Sequence, residues 1–128
     1  MAKEAVLETV LMVYGDDGIL RIRINDGAVI GLAQAKLQTE TIRRLCGDTK
    51  LPVLVDARAN YSITKEAEEY GAQQAANRIA TAVLSSSPFA KLTLNIFLGI
   101  FKPTTKFKAF SDEEDAVKWL KEQVRKIN

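Results

Sequence analysis

The chain contains no histidine. That absence removes the commonest general base and the commonest metal ligand. It also excludes every Ser-His, Cys-His and His-metal constellation. There is one cysteine, Cys46, so no intrachain disulfide can form, which fits a cytoplasmic protein. Cys46 lacks a base, and its place at a helix end beside Gly47 raises its pKa rather than lowering it, so a packing role is expected. Charge of one sign is also scarce: 18 Lys and Arg stand against 16 Asp and Glu, a net +2. This near balance carries no footprint of a nucleic-acid partner. No apolar run approaches the roughly 20 residues that span a bilayer, so no transmembrane segment is expected. The opening MAKEAVLETVLMVYG is broken by Glu8 and Thr9 and alternates like a strand, unlike a secretory signal. Gly-rich phosphate loops and metal-ligand spacings are missing, and no cofactor or metal is expected. Acidic clusters at Glu68-Glu69 and Asp112–Asp115 lie at helix starts, where the helix dipole accounts for them. With no nucleophile–base pair either, an enzyme is the least favoured reading.

The composition that remains is that of an ordinary globular protein. Hydrophobic residues make up 47% and charged residues 27% of 128 residues, enough for one domain over residues 1–128 with a proper core. Val6–Tyr14 is apolar and β-branched. It ends at Gly15-Asp16-Asp17-Gly18, and Ile19–Ile24 then alternates, with Leu20, Ile22 and Ile24 on one side and Arg21 and Arg23 on the other. The pair reads as a β-hairpin with one wet face. After Asn25-Asp26-Gly27 a helix is expected from about Ile30 to Cys46, with Leu37, Ile42 and Leu45 on its apolar face and Gly47 as a left-handed cap. Leu51–Asp56 is a continuous apolar run, as in a central parallel strand, with Pro52 at its start. A second helix, roughly Thr64–Arg78, takes Thr64 as N-cap. Its small residues, among them Ala67, Gly71 and Ala75, let it lie close on a sheet.

A short strand at Thr81–Leu84 leads through Ser85–Pro88 into a third helix, Phe89–Phe101. The strand Thr105–Phe110 follows. Ser111 and Glu114 form a capping box for the last helix, whose Ala116, Val117, Leu120, Val124 and Ile127 should face the core. Trp119 is expected to fill a gap between helix and sheet. The element order is ββαβαβαβα, an α/β fold with a mixed five-stranded sheet and four helices.

Three stretches carry a family resemblance: LPVLVDARANYSITKEAEEYG, SPFAKLTLNIFLGIFKP and FKAFSDEEDAVKWL. Together they cover most of Leu51–Leu120. The chain resembles the STAS-like group of small bacterial proteins, related in fold to anti-sigma-factor antagonists and more distantly to CRAL-TRIO lipid-binding domains. The resemblance implies the fold and, more loosely, a regulatory role. Phosphorylatable antagonists carry an Asp-Ser-Ser-Gly-like motif at the start of the second helix. The matching stretch here is Tyr61-Ser62-Ile63-Thr64-Lys65, with no glycine after the serine and no acid before it. Ser62 is the candidate phospho-acceptor by position only.

Two places are candidate sites. In an open α/β sheet the crevice at the carboxyl ends of the strands is the default ligand position, and Asp56, Arg58, Tyr61, Ser62 and Thr64 cluster there. The same residues also read as a plain structural loop: Asp56 holding backbone amides, Arg58 paired with it, Thr64 capping a helix. The third helix is the second place. At about 100° per residue, Leu94, Phe97, Leu98 and Phe101 with their apolar neighbours cannot share one face. The helix is therefore covered on several sides by its own fold, or serves as a dimer interface, an apolar pocket or a membrane surface. Lys102, Lys106 and Lys108 beside it either meet phosphate headgroups or keep an edge strand soluble, the latter being preferred. The leading functional reading is a non-enzymatic regulatory or protein-interaction module, a homodimer through the third helix. The alternative is a binding protein for a lipid or other apolar molecule.

Overall fold

A computed structural model describes residues 3–75, 77–86 and 106–127. Alternating apolar residues build its sheet. Strands β1 (Lys3–Val6), β2 (Val10–Tyr14) and β3 (Leu20–Ile24) run antiparallel, and β5 (Pro52–Asp56), β7 (Ala80–Leu84) and β8 (Lys106–Phe110) extend the sheet in parallel from β3. The resulting mixed sheet has six strands in the order β1-β2-β3-β5-β7-β8. Two short strands, β4 (Ala28–Ile30) and β6 (Tyr61–Ile63), pair in parallel as a separate ribbon. Among the described residues there are three helices: α1 (Leu32–Cys46), α2 (Lys65–Ala75) and α3 (Glu113–Lys126).

The α/β class, the mixed sheet and the hairpin agree with the sequence reading. The five-strand count does not, because the first apolar run is two strands. Leu7 N–H donates to the Val10 carbonyl, and Asn25 Nδ2 donates to the Glu8 carbonyl, so the polar pair Glu8-Thr9 forms a tight link and returns the chain. The count of four helices is not matched either: the expected third helix, Phe89–Phe101, lies outside the described residues, and with it Leu94, Phe97, Leu98, Phe101 and Lys102. The helix expected from Ile30 begins at Leu32 after the Gly31 N-cap, since Ala28-Val29-Ile30 is taken by β4.

The sheet carries a core on each face. Leu20, Ile22, Met12 and Val53 join Ala35 of α1 and Ala67 of α2 on one face. On the other face Leu54, Ala82 and Leu84 join Ala116 and Leu120 of α3. β5 serves both, as a run apolar at every position must. Leu37 does not join the α1 face and is 45% exposed. Five residues turn a helix by about 140° past a full circle, so Leu37 cannot share a side with Ile42. Ile127 is likewise exposed, lying just past the last turn of α3, while Gln123 is buried in its stead and accepts from Lys106 Nζ at 2.6 Å. Ser111 is not the cap of α3. Asp112 is, its Oδ1 accepting from Glu114 N–H at 2.7 Å. The carboxylate is a stronger acceptor than a hydroxyl and sits one residue nearer the first turn. Gly47 closes α1 at φ 71°, its N–H on the Arg43 carbonyl.

Candidate functional site

The site region is assembled where β3 and β5 end. Two loops are stitched together there: Asn60 N–H donates to Asp26 Oδ1 at 3.1 Å and Gly27 N–H to the Asn60 carbonyl at 2.6 Å. These bonds set β4 beside β6, with Ala28 opposite Tyr61, Val29 opposite Ser62 and Ile30 opposite Ile63. Paired residues of a ribbon share a face. Ala28 and Ile30 are buried, so Tyr61 and Ile63 lie on the inner side, at the rim of a cavity, while Val29 and Ser62 point away from it. Val29 is 66% exposed.

The five crevice residues have separate tasks. Asp56 and Arg58 form a forked pair. Arg58 Nε donates to Oδ1 at 2.9 Å, a terminal nitrogen donates to Oδ2 at 2.7 Å, and the Arg58 backbone N–H also reaches Oδ1. These hydrogen bonds hold the Asp56 carboxyl below its ordinary 3.8, although partial burial opposes them. Thr64 Oγ1 accepts from Ala67 N–H at 3.2 Å and so caps α2. Tyr61 has its phenol pushed up, by burial first and by Glu68 second. Ser62 is exposed on the outside of β6, two residues before the cap and not on the first turn of the helix. The structural-loop assignment therefore describes Asp56, Arg58 and Thr64, while Tyr61 and Ser62 serve as strand residues of β6.

Beneath the ribbon lies a cavity of about 630 Å³ between α1, α2 and the sheet. Its wall is largely apolar, with Ile22, Val55, Val83, Tyr70 and Phe107 prominent. A smaller cavity of about 330 Å³ adjoins it, and Thr39, Ile42, Gln74 and Arg78 line both. None of Val29, Gln38, Thr81 or Arg78 stood out in the sequence, and Glu68 read only as part of an acidic helix start. The triplet Ala28–Ile30 between two glycines is the only trace of the ribbon, and three residues are too few to establish a period.

Other residues singled out in the sequence are placed as follows. Cys46 is half-buried, and burial pushes its thiol pKa up. Trp119 meets Phe110 with ring centroids 5.6 Å apart. Lys106 and Lys108 are exposed on β8, an outer strand of the sheet, in keeping with edge protection. Among the described residues no cluster of three His, Cys, Asp or Glu can hold a metal, and no helix is long and apolar enough to cross a membrane.

Comparison with known proteins supports the fold. Residues 13–124 match the model of a family described as Domain of unknown function (DUF7793). An uncharacterised protein of the DUF3478 family with a SpoIIAA-like fold, from Shewanella loihica PV-4, superposes with a TM-score of 0.61 at 12% identity, covering 94% of this chain and 92% of that one. The STAS-like architecture is thus shown for this chain. A protein with unknown function from Arthrobacter sp. FB24 is 34% identical over 85% of this chain and 96% of its own, with a TM-score of 0.33. No curated protein matches.

Proposed function

The chain belongs to the DUF7793 family, and we propose that it is a non-catalytic regulatory module that works by protein contact through the outer side of the β4–β6 ribbon. The observation that carries this reading is the ribbon surface itself. Val29 (66% exposed) and Ser62 are cross-strand partners on its outer side, and the exposed Leu32 (37%) opens α1 two residues after β4. Apolar side chains grouped at a surface mark an interaction site when they adjoin directional polar groups. The SpoIIAA-like fold supports a regulatory part, and the missing histidine argues against acid–base catalysis.

The homodimer expected from the sequence uses the third helix, which lies outside the described residues; the partner proposed for the ribbon is a second copy of the chain. Sedimentation velocity over a hundredfold dilution tests it. Wild type should show concentration-dependent association that Val29→Asp abolishes and Ser62→Asp weakens. A wild type that stays monomeric throughout, or a Val29→Asp variant that associates as wild type does, overturns the reading.

A further inference from the structure

Arg78 is placed where a cation is costly. It follows α2, and its side chain stands in the wall between the two cavities. No carboxylate among the described residues is within ion-pair distance of it. Its side chain is half-buried, and desolvation lowers its pKa. A half-buried cation with no carboxylate beside it among the described residues is free to meet an anionic group in the cavity.

Two further polar groups that line the larger cavity are unpaired among the described residues. Thr81 is 1% exposed, and its Oγ1 has no hydrogen-bond partner among the described residues. Gln38 Nε2 is buried and also without one. Both residues line the larger cavity. Thr81 follows Arg78 by three residues, and Gln38 adjoins Thr39 of the shared wall. Buried donors left unpaired are rare in folded proteins. Here three polar residues, Arg78, Gln38 and Thr81, share one apolar cavity.

The charge around the cavities is uneven. The smaller one is lined by Arg43, Lys50 and Arg78 against the single acid Asp48. The far end of the larger one has Glu68 beside Tyr61. Seven helical residues separate Glu68 from the end of α2 at Ala75, about 10 Å at 1.5 Å per residue, and Arg78 lies three residues beyond. An anion is therefore drawn to one end of the cavity and repelled from the other. Between the ends the wall is aliphatic and aromatic, and a volume near 630 Å³ is in the range of small-molecule sites.

We propose that the larger cavity binds a single-chain apolar carboxylic acid, its carboxylate on Arg78 with Gln38 Nε2 and the Thr81 hydroxyl as further donors, and its chain running between α1, α2 and the sheet toward Tyr61 and Ile63. A carboxylate suits the site better than a phosphate monoester. One planar guanidinium matches one carboxylate in a forked pair and balances its single charge. A dianion would call for a second cation within the cavity. This ligand site is distinct from the outer surface that carries Val29 and Ser62, although Tyr61 and Ile63 connect the two.

The test is isothermal titration calorimetry of the full chain with sodium decanoate below its aggregation concentration, and with decan-1-ol as the uncharged counterpart. Decanoate should bind one to one, and decanol at least tenfold more weakly. Arg78→Gln should weaken decanoate tenfold or more and leave decanol within twofold, since only the acid uses the guanidinium. Thr81→Val keeps the shape and should weaken decanoate several-fold. Val29→Asp should leave decanoate binding unchanged, which separates this site from the ribbon surface. Circular dichroism melting checks that each variant is folded, and if Arg78→Gln is not, Thr81→Val and the ratio of decanoate to decanol decide. Absence of saturable decanoate binding to wild type, equal affinity for decanol, or a folded Arg78→Gln variant that binds as wild type does overturns the proposal.

Discussion

Asp56 shows how much a single side chain does here. Its carboxylate terminates β5, anchors Arg58 through two side-chain hydrogen bonds and accepts a backbone N–H besides. The folded pKa is depressed, so the unfolded chain takes up a proton more readily. The stability that the pair contributes is fully present above the unfolded value of about 3.8 and is lost as pH falls through the lower, folded value. Asp17 behaves alike, held down chiefly by its hydrogen bonds to Arg21. In Arg58→Gln the Asp56 carboxyl should titrate close to its ordinary value, as read by carboxyl-carbon NMR. An unchanged low value would show that Arg58 is not its cause. Residue types and spacing made this pair legible, because Asp and Arg two apart in a loop pair locally. Gln38, Thr81 and Arg78 were not legible. Nothing in a local window shows that three residues on separate elements will meet one cavity.

At the level of elements, capping separates two neighbours that the sequence leaves nearly equivalent. Ser111 and Asp112 both stand ahead of α3, and a capping box favours the serine. The fold places Asp112 at the cap, with φ −126° and ψ 128°, and points its carboxylate at Glu114 N–H. Asp112→Ala should therefore cost about 1 kcal/mol in urea unfolding, and Ser111→Ala should fall within about 0.5 kcal/mol of wild type. The reverse ranking would restore the capping box. The helices themselves were legible from periodicity and end signals: Gly47 closes α1, Thr64 opens α2, and Ala116 and Leu120 face the core. Strand segmentation was less so. Val6–Tyr14 reads as one apolar stretch, and only the pairing of β1 with β2 shows that it turns at Glu8-Thr9. The β4–β6 ribbon depends on bonds between loops 34 residues apart in sequence.

For the molecule as a whole, the sheet divides the interior into two cores. Ile22 faces α1 and α2, and Leu120 of α3 packs on the opposite side. Ile22→Val should cost about 0.5–1.5 kcal/mol and Leu120→Ala about 2–5 kcal/mol. Because the sheet lies between them, the double variant should be additive within about 0.5 kcal/mol in denaturant unfolding. A larger coupling would mean that the sheet transmits packing strain from one core to the other. From the sequence alone came the α/β class, the mixed sheet, the hairpin, the central strand buried on both faces and the STAS-like resemblance. All of these are encoded in side-chain periodicity, in turn and cap residues, or in short motifs, which act over a few residues. The six-strand order, the ribbon outside it, and the cavity with a guanidinium in its wall were decided by tertiary structure alone. They depend on strand pairing and on the approach of distant elements, and those are settled by how two cores close around one sheet.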